Sequence, residues 1–211
     1  MNPLAHNIIS LYERHAHRWD ARRSPTAELE LPWLTRFAAL LPPGAAVLDI
    51  GCGTGRPLAA WLIEQGHAIT GVDSSPAMLA LCRERMPAQR WLQADMRTLQ
   101  LSDTFHGLLA WDSFFHLTAD DQRHMFTVFR AHARPGTVLM FTSGPAHGEA
   151  IGEFEGEPLH HASLSPDEYR SLLAEAGFEV LAYVPEDPAC GWHTVWLARC
   201  VGEALLGHLT P

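Results

Sequence analysis

The run Val47-Leu48-Asp49-Ile50-Gly51-Cys52-Gly53-Thr54-Gly55 constrains this chain more than any other stretch. Ala45 to Ile50 reads as a buried strand, and a helix-period segment with Leu58, Trp61 and Leu62 on one face, ended by Gly66, follows the glycines. Missing side chains at such a strand-to-helix turn let a ligand reach backbone amides, although the same turn also serves as a tight connection with no ligand. A nicotinamide or flavin fingerprint needs G-x-G-x-x-G, and here Arg56 stands where the last small residue belongs. Asp49 would also face a pyrophosphate unfavourably. A ligand with a positive charge suits the turn better.

The rest of the chain alternates strand-like and helix-like segments, the pattern of a parallel sheet wrapped by helices. Ile8, Tyr12, His15 and Trp19 recur at helical spacing, and a second helix runs from Pro32 to Leu41 before Pro42-Pro43-Gly44. Strands are expected at His67–Val72, Arg90–Gln93, Phe105–Trp111, Thr137–Thr142, Phe178–Val184 and Trp192–Arg199. Hydroxyl caps open helices at Ser74-Ser75-Pro76, Thr118 and Ser165-Pro166. Ser143 to Leu164 has no clean period and is longer than ordinary connections, so it is expected to be a loop of the lid or binding type. No repeats or low-complexity linkers divide the chain, which predicts a single domain over 1–211.

Composition narrows the partners. With 47% hydrophobic and 18% charged residues the chain can bury a sizeable core. Its net charge of −9 repels phosphate backbones and acidic membranes, so nucleic acid is not an expected partner. No apolar run approaches the roughly 18 residues of a membrane span, and the first twenty residues lack a signal-peptide core. A cytoplasmic protein is expected, as a monomer or homodimer. Cys52, Cys82, Cys190 and Cys200 form no CxxC pair and read as reduced thiols.

From Asp49 to Gly55 the sequence resembles the class I S-adenosylmethionine-dependent methyltransferases, whose first motif is an acid followed by G-x-G-x-G. The resemblance extends over nearly the whole chain. It implies an α/β, Rossmann-like methyltransferase fold: a seven-stranded, mostly parallel sheet with helices on both faces and the last strand antiparallel. It implies S-adenosyl-L-methionine as cofactor, S-adenosyl-L-homocysteine as product and a small-molecule acceptor. The family places an acid at the end of the second strand, here Asp73 in Gly71-Val72-Asp73, on the ribose hydroxyls; two acceptor oxygens suit a vicinal diol, although Asp73 also reads as a helix cap. Ala94-Asp95-Met96 corresponds to the adenine contacts, while Met78, Leu79 and Trp91 read first as core.

Leu108 to Leu117 resembles the fourth-strand motif and brings forward Trp111, Asp112, Ser113 and His116. Asp112 either orients the cofactor's ammonium group or acts on an acceptor proton, and His116 has an ordinary pKa suited to general-base work. Turn-capping by Asp112 and a satisfied surface histidine at His116 are the competing readings. The expected cofactor contacts are thus Tyr12, Asp49, Gly51, Cys52, Gly53, Gly55, Asp73, Ser74, Asp95, Met96, Trp111 and Asp112. Trp19, His116, His160 and His161 are expected on the acceptor, with Asp112 and His116 catalytic. No metal is expected: the Asp-Asn pair of metal-dependent members is missing after the fifth strand, and His160, His161 and His193 lack ligand spacing. Residues 1–20 and 143–164 are expected to roof the site together. A non-catalytic cofactor-binding sensor or partner subunit and, with less support, a NAD-dependent oxidoreductase are the alternatives.

Overall fold

A computed structural model describes residues 3–202. Its helices are α1 (Pro3–Arg22), α2 (Leu31–Ala38), α3 (Leu58–Glu64), α4 (Pro76–Arg85), α5 (Ala119–Ala131) and α6 (Pro166–Glu175). Its strands are β1 (Ala46–Ile50), β2 (Ala68–Asp73), β3 (Arg90–Gln93), β4 (Phe105–Ala110), β5 (Ala133–Ser143), β6 (Gly148–Phe154), β7 (Glu157–Ser163), β8 (Phe178–Asp187) and β9 (His193–Cys200). A seven-stranded sheet has the order β3-β2-β1-β4-β5-β9-β8. Strands β1 to β5 pair in parallel, and β9 runs antiparallel between β5 and β8. The expected Rossmann-like sheet, with its last strand reversed, is present.

Both faces of the sheet are covered because its central strands carry apolar side chains on both sides. Successive side chains point to opposite faces. Leu48, Ile50, Leu108, Ala110, Leu139, Phe141 and Trp196 therefore join one core with Phe114, Phe126, Phe129 and Tyr169. Val47, Leu109, Val138, Met140, Val195 and Leu197 join the other with Trp33, Leu34, Phe37 and Leu62. At roughly 1.5–3 kcal/mol for each large apolar side chain buried, these two layers dominate what holds the sheet flat under its helices. Hydroxyl caps start the later helices as expected: Ser75 Oγ accepts from Met78 N–H, Thr118 Oγ1 from Asp121 N–H and Ser165 Oγ from Glu168 N–H. No helix among the described residues is long and apolar enough to cross a membrane.

The segment 143–164 corrects one expectation. Most of it is an antiparallel hairpin, β6 paired with β7 from Gly148↔Ser163 to Phe154↔Glu157. Its turn is Glu155-Gly156, both at positive φ (54° and 80°), the two-residue geometry whose twist matches a hairpin. The strands escape a period-2 reading because β6 is exposed along its length apart from Phe154, so no buried face imposes alternation. The second helix is also shorter than expected: α2 ends at Ala38, and 39–41 tighten into turns with Leu40 N–H to Phe37 C=O and Leu41 N–H to Ala38 C=O.

Candidate active site

The glycine turn is pinned from two sides. Gly51 and Cys52 N–H donate to the Val72 carbonyl (2.8 and 3.0 Å), which ties the turn to the end of β2. Gly51 has φ +76°, and a Cβ there would lie 2.3 Å from that of Ser113, whose hydroxyl donates to the Ile50 carbonyl at 2.8 Å. Only glycine fits this crossing with the chain that leaves β4. Asp49, just before the turn, is buried; burial first, then the charge of Asp73, pushes its carboxyl up to about 7.

Asp73 ends β2 and joins the turn to α4. One carboxylate oxygen accepts from Gly53 N–H and the other from Ser75 N–H, both at 2.9 Å. Burial raises its pKa against the pull of these amides. Each oxygen keeps further acceptor capacity at the cleft that Asp73 lines. Ser74 donates to the Ala94 carbonyl (3.3 Å), which fixes the neighbouring β3 exit. There Asp95 caps the Met96–Thr98 turn and takes the Arg97 guanidinium on both oxygens; burial opposes this pairing, yet the carboxyl is held below its ordinary value.

Beyond β4, Asp112 sits at φ +50°, with its N–H on Thr142 Oγ1 (2.9 Å). Its Oδ2 accepts from Arg23 at 3.0 Å, and Oδ1 lies 2.9 Å from His193 Nε2, an ion-pair distance without straight hydrogen-bond alignment. Burial would raise the Asp112 pKa, but His193 and Arg23 outweigh it and hold the group ionised. Trp111 stacks on His193 with ring centres 5.4 Å apart, and its buried indole N–H has no acceptor. Such an orphaned donor lining a cleft is an observation that a ligand would account for. Turn, acids and Trp111 surround one cleft at the carboxyl ends of β1, β2 and β4.

Helix α1 lies over this cleft and is fastened at both sides. Glu13 accepts from Ser75 Oγ and from Ala77 N–H (3.1 Å), and Asp20 pairs with both Arg85 nitrogens, binding α1 to α4. Toward the hairpin, Arg14 and His15 meet Glu157, and Arg18 and Arg22 meet Glu155. Phe154 packs among Tyr12, His15 and Trp19 at ring separations of 5.7–5.9 Å. Leu11 and Ala16 of α1 are buried completely or nearly so, and the helix bends at His15 (φ −113°, ψ 16°).

Comparison with known proteins decides what this cleft belongs to. Residues 47–136 match the family described as methyltransferase domain. The chain is 30% identical over 196 residues to the malonyl-[acyl-carrier protein] O-methyltransferase of Paenibacillus sp. (strain JDR-2), covering 83% of this chain and 69% of that protein. It is likewise 30% identical to the trans-aconitate 2-methyltransferase of Variovorax paradoxus (strain S110), over 89% of this chain and 71% of the other. The fold superposes on 1,6-didemethyltoxoflavin-N1-methyltransferase of Burkholderia thailandensis with a TM-score of 0.70 at 23% identity, covering 94% of this chain and 87% of that one.

The chain belongs to the class I S-adenosylmethionine-dependent methyltransferases. In this methyltransferase the cleft brings together Tyr12, Trp19, Asp49, Gly51, Cys52, Gly53, Gly55, Asp73, Ser74, Asp95, Met96, Trp111, Asp112 and His116. His160 and His161 do not line it, against expectation. His160 is fully buried behind His116, the two linked reciprocally: His116 Nδ1–H to the His160 carbonyl (2.8 Å) and His160 Nδ1–H to the His116 carbonyl (3.2 Å). His161 stacks against His116 and Phe115 on the hairpin side.

His116 also departs from its expected character. Tyr12 O–H donates to its Nε2 at 2.8 Å, so both ring nitrogens are engaged. Burial, the largest influence, pushes its pKa down to about 4, which leaves it a neutral ring rather than a base poised near neutrality. Burial and the Asp112 charge push the Tyr12 phenol up. Sequence reasoning missed Glu13 and Arg23, and gave His193 a structural or substrate-facing role in preference to metal ligation without placing it in the site. None belongs to a local motif; each reaches the site from a distant element, and only Arg23, four residues beyond Trp19 on the α1 face, carried a periodic signal.

Proposed function

We propose that this methyltransferase binds S-adenosylmethionine across the ends of β1, β2 and β4 and directs methyl transfer to a small-molecule acceptor beneath α1 and the hairpin. The observation that carries the placement is Asp73: its carboxylate is anchored by the Gly53 and Ser75 amides and still borders the cleft beside the glycine turn. There it takes the ribose hydroxyls. Ala94 to Met96 line the adenine end, Asp49 and Asp112 face the ammonium, and the Trp111 indole N–H and Arg23 serve the carboxylate. When bound, the cofactor supplies a methyl group already activated by its sulfonium charge. The protein's own work is alignment and exclusion of water, which Tyr12, Trp19 and the fastened roof perform.

His116 and Tyr12 act in this reading as a neutral hydrogen-bonded wall. A nucleophile that needs no proton removed suits such a wall, and the relatives named for malonyl and trans-aconitate acceptors direct the search first to carboxylates. We read the described chain as one domain, with 3–20 and 143–164 as its roof, residues 1 and 2 of the expected roof lying outside the described residues, and as acting in the cytoplasm without nucleic acid; the net charge of −9 supports the last point. Methyl-labelled S-adenosylmethionine offered with panels of small carboxylates, phenols and amines tests the assignment. Acceptor-dependent release of S-adenosylhomocysteine is expected, greatest for the carboxylates; cofactor binding with no turnover on any panel would overturn the small-molecule acceptor.

A further inference from the structure

His193 opens β9 and contacts Trp111 and Asp112 of the cleft lining, with an oxygen near each ring nitrogen. Nδ1 is 2.6 Å from the Cys190 carbonyl, and Nε2 is 2.9 Å from Asp112 Oδ1. A neutral imidazole that gives its one N–H to the Cys190 carbonyl leaves a bare Nε2 2.9 Å from a carboxylate oxygen, whereas an imidazolium sets a positive ring at ion-pair distance from it. The ring cannot swing away, because it is stacked on Trp111. Its charged surroundings are Asp112 beyond β4, Arg23 after α1 on the other Asp112 oxygen (3.0 Å), and Glu30 before α2, itself bonded to Arg23 (3.2 Å). Asp187 lies at the end of β8 on the same turn, where its side chain is engaged by Trp33 (2.8 Å). Burial lowers the His193 pKa, but Asp112 outweighs it and the net direction is upward. Asp112 needs such support: its backbone is in the left-handed region, and side-chain partners fix where its carboxylate sits.

We propose that His193 is a positioning residue which, as an imidazolium, fixes the Asp112 carboxylate for the ammonium group of the bound cofactor, so that losing its proton releases the carboxylate and weakens cofactor binding. This rests on the cofactor placement proposed above. The sign separates positioning from simple charge. Removing a positive group near a bound ammonium would by Coulomb's law strengthen binding, whereas losing the positioning contact weakens it.

The test is calorimetric titration of S-adenosylhomocysteine between pH 6.5 and 9 into the wild-type protein and His193→Gln, with an NMR titration of the histidine rings. The His193 signal is the one missing from the variant. Wild-type affinity is expected to fall roughly tenfold across this range, the loss of one charge-assisted contact. His193→Gln should lack this fall and lie near the wild-type value at high pH, any rise as Asp49 ionises near pH 7 being common to both proteins, with the His193 ring titrating above 6.5 in the window where affinity falls. A variant that keeps the wild-type profile, or a ring that titrates outside that window, overturns the proposal. Absence of binding at every pH in the wild type would instead remove the cofactor placement and the positioning claim with it, while the ring titration would still decide the charge state of His193.

Discussion

Held between the Tyr12 hydroxyl and the His160 carbonyl, His116 stays neutral through the physiological range and makes stability, rather than proton transfer, its pH-dependent property. Its folded pKa of about 4 lies below the unfolded value near 6.5, so the unfolded chain takes up the proton first as pH falls. Stability is therefore full above about pH 6.5 and lost as pH drops toward 4, by on the order of 3 kcal/mol from this group. Denaturant unfolding at pH 7 and pH 4.5 should show a smaller loss for His116→Gln than for wild type; parallel losses would contradict the buried neutral ring. At this scale the glycine turn and Asp73 were legible because their chemistry is written in adjacent letters. Glu13 and His193 were not, since each becomes a site residue only when α1 or β9 is folded against the sheet ends.

Helix α1 and the β6–β7 hairpin meet through two kinds of contact, and their magnitudes rank them. Arg14, Arg18 and Arg22 are 46%, 71% and 64% exposed, so their pairs with Glu155 and Glu157 are screened by solvent and contribute little. Phe154 meets three rings while nearly buried, and aromatic pairs contribute about 0.5–1.5 kcal/mol each beyond their burial. Phe154→Ala should therefore speed amide exchange across 3–22 and 148–163 far more than Glu157→Gln does, with the central strands unchanged in both. The account of the roof fails if the glutamine variant has the larger effect, or if neither variant alters exchange in α1. The helix was legible from its 3.6-residue period. The hairpin was not, because the exposed strand β6 carries no buried alternation and Glu155 is an unusual residue for its turn.

Across the whole molecule, the covering of both faces follows from strands that bury apolar side chains on each side of the sheet, and the reversed β9 completes the family's arrangement. Sequence therefore anticipated the sheet and the glycine turn, acids and Trp111 that the cleft brings together. It anticipated the surroundings of His160, His161 and His193 poorly, because they are set by contacts between α1, the hairpin and the β8–β9 turn rather than by any contiguous motif. The central claim is that the glycine turn and Asp73 form a binding site for the cofactor. Calorimetric titration of S-adenosylhomocysteine into wild type and Asp73→Ala tests it most directly. Saturable binding to one site is expected, weakened in the variant by on the order of 1.5–3 kcal/mol through lost hydrogen bonds to a charged group; equal affinity in the two proteins, or no binding to wild type at 1 mM ligand (roughly the −4.1 kcal/mol level), would contradict it.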